Sequence, residues 1–418
     1  MTRSKSNKNA ALFLILMGWL VYTVSCMLKL SYAANITQIL DHYNITKADA
    51  GLVSSLFALT YGIGQFVNGF LCKKYNIKWM LFASLFISGL INFFIAISPS
   101  FEPIKYLWLI NGFVMSVLWP TLVRMLSESL PQRDLSKSSV IMGTTTATGT
   151  LIVYGLSSYF ATMSNFKLAF YTTSIASIAA AFICILGYNR FVSRARKVRE
   201  EEGYIKIPDD PVKDPKHTGI EKHIFHISIG VICFYAICSN LIKDGITTWV
   251  PSILKEEFSM TDSLAILLTL FMPMISIFGN AFALTVHKRI PDYTTHCFTF
   301  FMLMAVFITI IIESLSLKSV FLVLAGLTVS CFFASSLNSL LTSIFPMFMR
   351  GKIDSGKFAG ILNGCCYFGS VISSYGLGYI AEHFGWTMVF IFLIAFCILS
   401  GIIWTGFNIT KHYLRRRF

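Results

Sequence analysis

Charged residues that lie within or at the edge of long apolar runs of the chain include Lys29, Arg124, Glu128, Lys243 and Asp244. Lys29 poses the sharpest question, because its run begins at Ala10 and reads AALFLILMGWLVYTVSCMLKLSY. A charged side chain at mid-bilayer costs about 2.5–3.5 kcal/mol on insertion scales, part of which a long stem recovers by snorkelling. Either each lysine snorkels or pairs locally, or its charge serves to hold an anion. Asp244 is the obvious local partner of Lys243, although adjacent helical side chains point about 100° apart. Asp244 is also the one clear acid inside a span, the residue type that carries protons across membranes. Arg124 and Glu128 stand four apart on one helix face, which suits an ordinary helix ion pair or part of a gate.

The elements that must position these groups are apolar helices. Of the 418 residues 55% are hydrophobic and 13% charged, with mean hydropathy +0.67, against roughly 25% charged residues in an ordinary soluble domain. Twelve apolar stretches approach the roughly 20 residues that span a bilayer as a helix: 10–33, 48–72, 78–98, 103–129, 137–162, 166–190, 224–250, 262–286, 294–313, 318–346, 357–381 and 385–409. The alternating ten-residue strands of a membrane barrel are not seen. The first stretch is too long for a cleavable signal peptide. The fold class read from this pattern is an all-α integral membrane protein of twelve transmembrane helices, embedded in the lipid bilayer of the plasma (inner) membrane.

The net charge of +14 follows topology rather than nucleic-acid binding. Of 34 Lys and Arg, 26 lie at the two termini and in the loops after the even-numbered spans. Lys47, Lys105, Lys167, Lys255 and Lys318 occupy the opposite loops. This asymmetry is the positive-inside rule; it places both termini in the cytoplasm. The ten cysteines are scattered through apolar segments without metal-ligand spacing, so neither a disulfide nor a metal is expected. No Gly-rich phosphate loop or catalytic cluster is present, so no cofactor and no enzymatic activity are expected.

Residues 191–223, polar and proline-containing, divide the chain into an N-terminal six-helix bundle (1–190), a cytoplasmic connector and a C-terminal six-helix bundle (224–418). The halves carry a repeat. KLSYAANITQILDHYNITKADA (29–50) aligns with KDGITTWVPSILKEEFSMTDSL (243–264), matching Lys29 to Lys243. GTTTATGTLIVYGL (143–156) aligns with GCCYFGSVISSYGL (364–377), matching Gly143, Tyr154, Gly155 and Leu156 to Gly364, Tyr375, Gly376 and Leu377. If the halves are related by a pseudo-two-fold axis along the membrane normal, the lysines are symmetry mates at a central cavity. Two cations there make an anion site.

The stretches KDGITTWVPSILKE (243–256), ADAGLVSSLFALTYGIGQFVNGFL (48–71), LWPTLVRML (118–126) and SGKFAGILNGCCYFGSVISSYGLGYIAEHFGW (355–386) resemble counterparts in the major facilitator superfamily. Within it they resemble the organophosphate:phosphate antiporters, a group that includes glycerol-3-phosphate and hexose-phosphate transporters and a related phosphosugar sensor. The resemblance covers essentially the whole chain. It implies that basic residues in spans 1 and 7 clamp the substrate's anionic group; the family's arginines are matched here by Lys29 and Lys243, which keep the charge but lose the bidentate fork. It further implies site roles for Tyr22, Tyr61, Gln65 and Tyr367. The loop after span 2, GFLCKKYN, carries Lys73 where the superfamily has an aspartate.

Asn363 shares a helix face with Tyr367, and Trp249 is placed near the outer end of the cavity. Trp119-Pro120 and Trp249-Pro251 are expected to mark bends. The reading is therefore a monomeric secondary transporter of a small organic anion, with phosphate as counter-anion or a proton as co-substrate. Lys29, Lys243, Tyr22, Tyr61, Gln65, Tyr367, Asn363 and Trp249 bind substrate; Asp244, Arg124 and Glu128 couple or gate. The alternative is a membrane sensor for an external phosphorylated or acidic solute.

Overall fold

The computed structural model describes all residues except 1, 72–74, 202–218, 291, 346–354 and 418; side chains are described for these except 2–10, 69–71, 132–133, 135–136, 139–140, 201, 219–226, 280, 343, 355–360 and 413–417. Lys73 thus lies outside the described residues. In hydrocarbon each backbone N–H and C=O must bond within its own segment, and the chain complies with helix after helix. They are α1 (Thr2–Ala34), α2 (Ile36–Tyr43), α3 (Lys47–Leu71), α4 (Ile77–Ile97), α5 (Glu102–Ser116), α6 (Leu118–Ser129), α7 (Gln132–Gly143), α8 (Thr145–Ala161) and α9 (Lys167–Glu201). There follow α10 (Gly219–Phe258), α11 (Asp262–Thr269), α12 (Phe271–Ser276), α13 (Gly279–Arg289), α14 (Tyr293–Ser316), α15 (Val320–Ser339), a π-helical turn (Leu340–Ile344) and α16 (Ser355–Arg417).

Among the described residues nine helices are long and apolar enough to cross a membrane, and the bent pair Asp262–Ser276 with Ala281–Arg289 adds a tenth. The count is compatible with the twelve expected spans. The fifth is split at Thr144 into α7 and α8, and α16 holds two spans, separated by Gly385 at φ 78°. That left-handed backbone is open to glycine at little cost. The bend expected at Trp119-Pro120 is a break between α5 and α6 at Val117, whereas α10 runs uninterrupted through Pro251. Each lysine lies within a helix that continues well past it: α1 runs on to Ala34, followed by α2, and α10 to Phe258. The first part of the expected connector is helical, as the end of α9.

The chain divides into two compact units. Unit 1 comprises residues 1–43 and 60–210, and unit 2 residues 44–59 and 211–418, so α3 begins in unit 2 and ends in unit 1. In unit 1, α1 packs on α8 and α9, and α4 on α9. Buried polar side chains link these helices: Ser31 Oγ donates to Asn92 Oδ1 at 3.0 Å, and Asn35 Nδ2 to Ser157 Oγ at 2.9 Å. In unit 2, α10 packs on α16 and α14 on α15 and α16.

Residues 44–59 join unit 2 through a close seam. A Cβ added at Gly51 would sit 2.2 Å from the Ser374 carbonyl oxygen. Ser55 Oγ donates to the Val371 carbonyl at 2.7 Å and accepts from the Tyr375 N–H at 3.0 Å. Lys47 closes its end: Nζ lies 3.1 Å from Glu256 and 3.9 Å from Glu382, the Lys47 N–H donates to Glu382 at 3.0 Å, and the Trp386 indole donates to Glu256 at 2.9 Å. Other lysines of that side pair as well, Lys105 with Glu102, Lys255 with Asp262 and Lys318 with Glu257, at 2.8, 3.0 and 3.0 Å.

Two outcomes follow. Gly51→Val must open the seam and should cost about 1–3 kcal/mol, the usual range for overpacking, read as a lower melting temperature of the detergent-purified protein. Asp292 caps α14, accepting from Thr294 and Thr295, with Lys411 3.6 Å away. Burial alone would raise its carboxyl; the hydrogen bonds from Thr294 and Thr295 and the Lys411 charge outweigh it and hold the group below its ordinary value. Its stabilisation is therefore present above the unfolded value near 3.9 and lost as the pH falls through the lower folded value. Asp292→Ala should cost about 1 kcal/mol at pH 7, a deficit that shrinks in acid melts.

Candidate functional site

In unit 1 the site is built on one stripe of α1. Trp19, Tyr22, Cys26 and Lys29 recur at helical spacing and so share a face. Each meets a different neighbour. Trp19 Nε1 donates to Thr144 Oγ1 at 2.9 Å, at the break between α7 and α8. The Tyr22 and Trp119 rings lie 4.6 Å apart, just after the break between α5 and α6. The Cys26 thiol lies 3.7 Å from Thr146 Oγ1. Lys29 Nζ stands over the Tyr61 ring, 4.6 Å from its centroid, and Gln65 Nε2 donates to the Tyr61 hydroxyl at 3.0 Å. A ring face offers an ammonium electrostatic attraction without a counter-charge. The structure thus brings Lys29, Tyr61 and Gln65 together, with Tyr22 two turns away along α1.

In unit 2 the corresponding lysine has a different environment. Lys243 Nζ lies 3.3 Å from Asp244 Oδ1, so the pair forms despite the 100° between adjacent side chains, the flexible stem of lysine bridging the gap. Asp244 Oδ2 accepts from Ser370 Oγ at 2.5 Å and from Asn240 Nδ2 at 2.9 Å. Asn240 Nδ2 also reaches Ser370 Oγ at 2.7 Å. Asn240 Oδ1 accepts from Asn338 Nδ2 at 2.8 Å and from Lys243 Nζ at 3.4 Å. This network joins α10, α15 and α16. Lys243 and Asp244 each remain 29% exposed. Asn338 stands just before the π-helical turn at Leu340, a feature that recurs at functional sites.

The remaining expected residues are distributed as follows. Asn363 and Tyr367 are half-buried on α16, two turns and one turn before Ser370. Trp249 is 1% exposed, donates to the Ser374 carbonyl at 3.3 Å and packs 6.1 Å from the Trp386 ring, inside unit 2 beneath the Lys47 cluster. Arg124 and Glu128 lie in the second half of α6. Arg124 Nε is 2.6 Å from Glu128, and its Nη1 donates to the Tyr75 carbonyl at 3.1 Å. Arg196 and Arg199 of α9 reach the Glu128 carboxylate and carbonyl. Sequence reasoning missed Asn240, Asn338 and Ser370. The signal for Asn240 was legible, since it lies four residues before Asp244; Asn338 and Ser370 come from other helices and gave none. Among the described residues no cluster of three His, Cys, Asp or Glu could hold a metal.

Comparison with known proteins places this geometry in context. The Major Facilitator Superfamily model matches residues 14–355. The membrane sensor protein UhpC of Escherichia coli K12 is 29% identical over 114 residues, 27% of this chain and 26% of the sensor, so the match spans about a quarter of either protein. The glycerol-3-phosphate transporter of Bacillus subtilis 168 is 22% identical over 377 residues, 86% of this chain and 84% of that one. Among solved structures, an inward-facing, unoccupied bacterial homologue of the human lysosomal transporter Spinster superposes with a TM-score of 0.76 at 11% identity, covering 97% of this chain and 98% of that one.

The contact of Lys29 with Tyr61 can be measured directly. Tyr61→Phe keeps the ring face and should be mild, whereas Tyr61→Leu removes it. A double-mutant cycle of Tyr61→Leu with Lys29→Met, read by thermal stability, should give a coupling of about 0.5–2 kcal/mol.

Proposed function

The chain belongs to the Major Facilitator Superfamily, and we propose that it is a secondary active transporter of a small organic anion. The substrate is an organophosphate, sugar phosphate or carboxylate, moved by alternating access. Lys29 and Lys243 bind its anionic group, each as the cation of its own unit. The observation that carries this reading is the pair of lysines at repeat-equivalent positions of apolar helices, each set among polar side chains. The glycerol-3-phosphate transporter that aligns along most of the chain supports a phosphorylated solute. Lysine is a point charge rather than a fork, which leaves carboxylates as the alternative class.

Tyr22, Tyr61, Gln65, Asn363 and Tyr367 supply hydrogen bonds and ring faces to the rest of the solute, and Trp249 supports the outer end of α10. Asp244 is the coupling group. Its carboxylate competes with the solute for Lys243, so the anion binds either by displacing it or after Asp244 takes up a proton. The first route gives exchange against a counter-anion such as phosphate, and the second gives proton symport. Arg124 and Glu128, held to Tyr75 and α9, form the inner gate.

A second reading, a membrane sensor with little transport, is favoured by the match to UhpC. Proteoliposome uptake separates the two: a transporter accumulates labelled solute, a sensor binds it without turnover.

The deciding experiment is a thermal-shift panel of phosphate, sugar phosphates, sugar acids and dicarboxylates on the native protein, Lys29→Ala and Lys243→Ala. A ligand at 100 times its Kd stabilises by about 2.7 kcal/mol. One anion class should raise the native melting temperature, with the effect lost in both variants. A neutral solute that stabilises all three proteins alike would overturn the reading. Uptake by Asp244→Asn should lose its dependence on a pH gradient if Asp244 carries the proton.

A further inference from the structure

The lower half of α9 presents a charge pattern that solute binding does not use. Along the bilayer-spanning part of α9, Ile175, Ile183 and Leu186 are 67%, 51% and 79% exposed, the mark of a face turned to lipid. The same face continues beyond the apolar segment. At 100° per residue, Arg190, Arg194 and Lys197 fall within about 50° of the mean direction of Ile183 and Leu186, and all three are exposed. The opposite side of this extension is docked instead: Val192, Ala195 and Val198 are buried, and Arg196 and Arg199 reach Glu128 of α6. The cations of α9 are thus sorted by face. Among the described residues, no ion pair joins Arg190, Arg194 or Lys197 to a carboxylate.

Their depth follows from the neighbouring helix. α4 runs antiparallel to α9, with Phe82 against Phe182 at 5.6 Å and Phe93 against Tyr171 at 5.8 Å. This register sets Ile77, the first residue of α4, level with Gly187. Ile77 marks the membrane boundary: Asn76 caps the helix there, and the Trp79 ring is 57% exposed, as interfacial tryptophans are. With a rise of 1.5 Å per residue, Arg190 lies about 4 Å and Arg194 about 10 Å beyond that boundary. The headgroup layer of one leaflet is roughly 5–8 Å thick. Arg194 and, one turn farther, Lys197 lie beyond that layer and reach back to it along their long stems. Lys78 adds a cation at the boundary itself, beside Cys184 of α9.

We infer that Lys78, Arg190, Arg194 and Lys197, beside the interfacial Trp79, form a binding surface for the phosphate headgroup of an anionic phospholipid in the leaflet facing the positively charged side. Positive-inside topology requires only an excess of Lys and Arg in the loops. It does not require them to continue the lipid-facing stripe of a helix at headgroup depth while their neighbours dock inward. Charge complementarity with anionic lipid supplies the occupant.

The test uses the full chain purified in neutral detergent and titrated with phosphatidylglycerol or phosphatidylcholine, with retained lipid read by native mass spectrometry and stability by thermal shift. The native protein should retain phosphatidylglycerol in preference to phosphatidylcholine. The triple variant R190Q/R194Q/K197Q should bind the anionic lipid on the order of a hundredfold more weakly, from the loss of three surface cations. The charge-keeping R190K/R194K/K197R should retain it, and R196Q, on the docked face, should leave the preference unchanged. Equal binding of the two lipids by the native protein, full retention by the triple variant, or an equal loss in R196Q would each overturn the inference. If the triple variant does not purify folded, the three single Gln variants carry the test, each expected to weaken phosphatidylglycerol severalfold.

Discussion

A backbone amide in hydrocarbon has no water to turn to, and this constraint governs the molecule. It makes each spanning segment a helix and confines every interruption to places where protein covers the freed groups. Three of the interruptions fall beside residues of the candidate site. The break at Val117 precedes Trp119, which stacks on Tyr22. The break at Thr144 carries the hydroxyl that receives Trp19. The π-helical turn at Leu340 follows Asn338, which joins the Asn240–Asp244 network. Interrupted helix and hydrogen-bonding or ring-bearing side chain are thus neighbours at these three places.

The two units solve the cost of a lysine in different ways. In unit 1 the ammonium of Lys29 leans on the π-face of Tyr61, which lowers the cost of burial while leaving the charge intact. In unit 2 the ammonium of Lys243 is offset by a full carboxylate, itself held by Ser370 and Asn240. The first environment thus presents an ammonium against a ring face and the second an ion pair. The difference matters for energetics, because a buried pair that loses one partner leaves the other charge uncompensated. Any anion that engages Lys243 must therefore contend with Asp244.

The outward charges follow the same economy. Lys47, Lys105, Lys255 and Lys318, on the side with few cations, are paired with glutamate or aspartate. On the cation-rich side, α9 divides its charges between a docked face and the lipid-facing face. Phenylalanines pack on one another in clusters such as Phe282, Phe300, Phe332 and Phe333, where ring packing replaces the hydrophobic driving force that lipid cannot provide.

The helices, their number within the limits of splitting, and the side on which charge accumulates were all legible in the sequence, because hydropathy over about 20 residues and the Lys and Arg count report directly on transfer into a bilayer. The Trp19–Tyr22–Cys26–Lys29 stripe was equally legible, since one helix sets its own spacing. The repeat brought Lys29 and Lys243 into correspondence before any coordinates. The Lys243–Asp244 pair was legible too; tertiary structure alone decided which other helices meet these groups. Tyr61, Ser370 and Asn338 come from other helices, and helix packing carries no signature at a fixed sequence offset. It also decided that Lys47 joins Glu256 and Glu382, residues more than 200 positions away, and that residues 44–59 belong with unit 2. Local periodicity can say which face of a helix is polar; only the packed chain says which partner waits there.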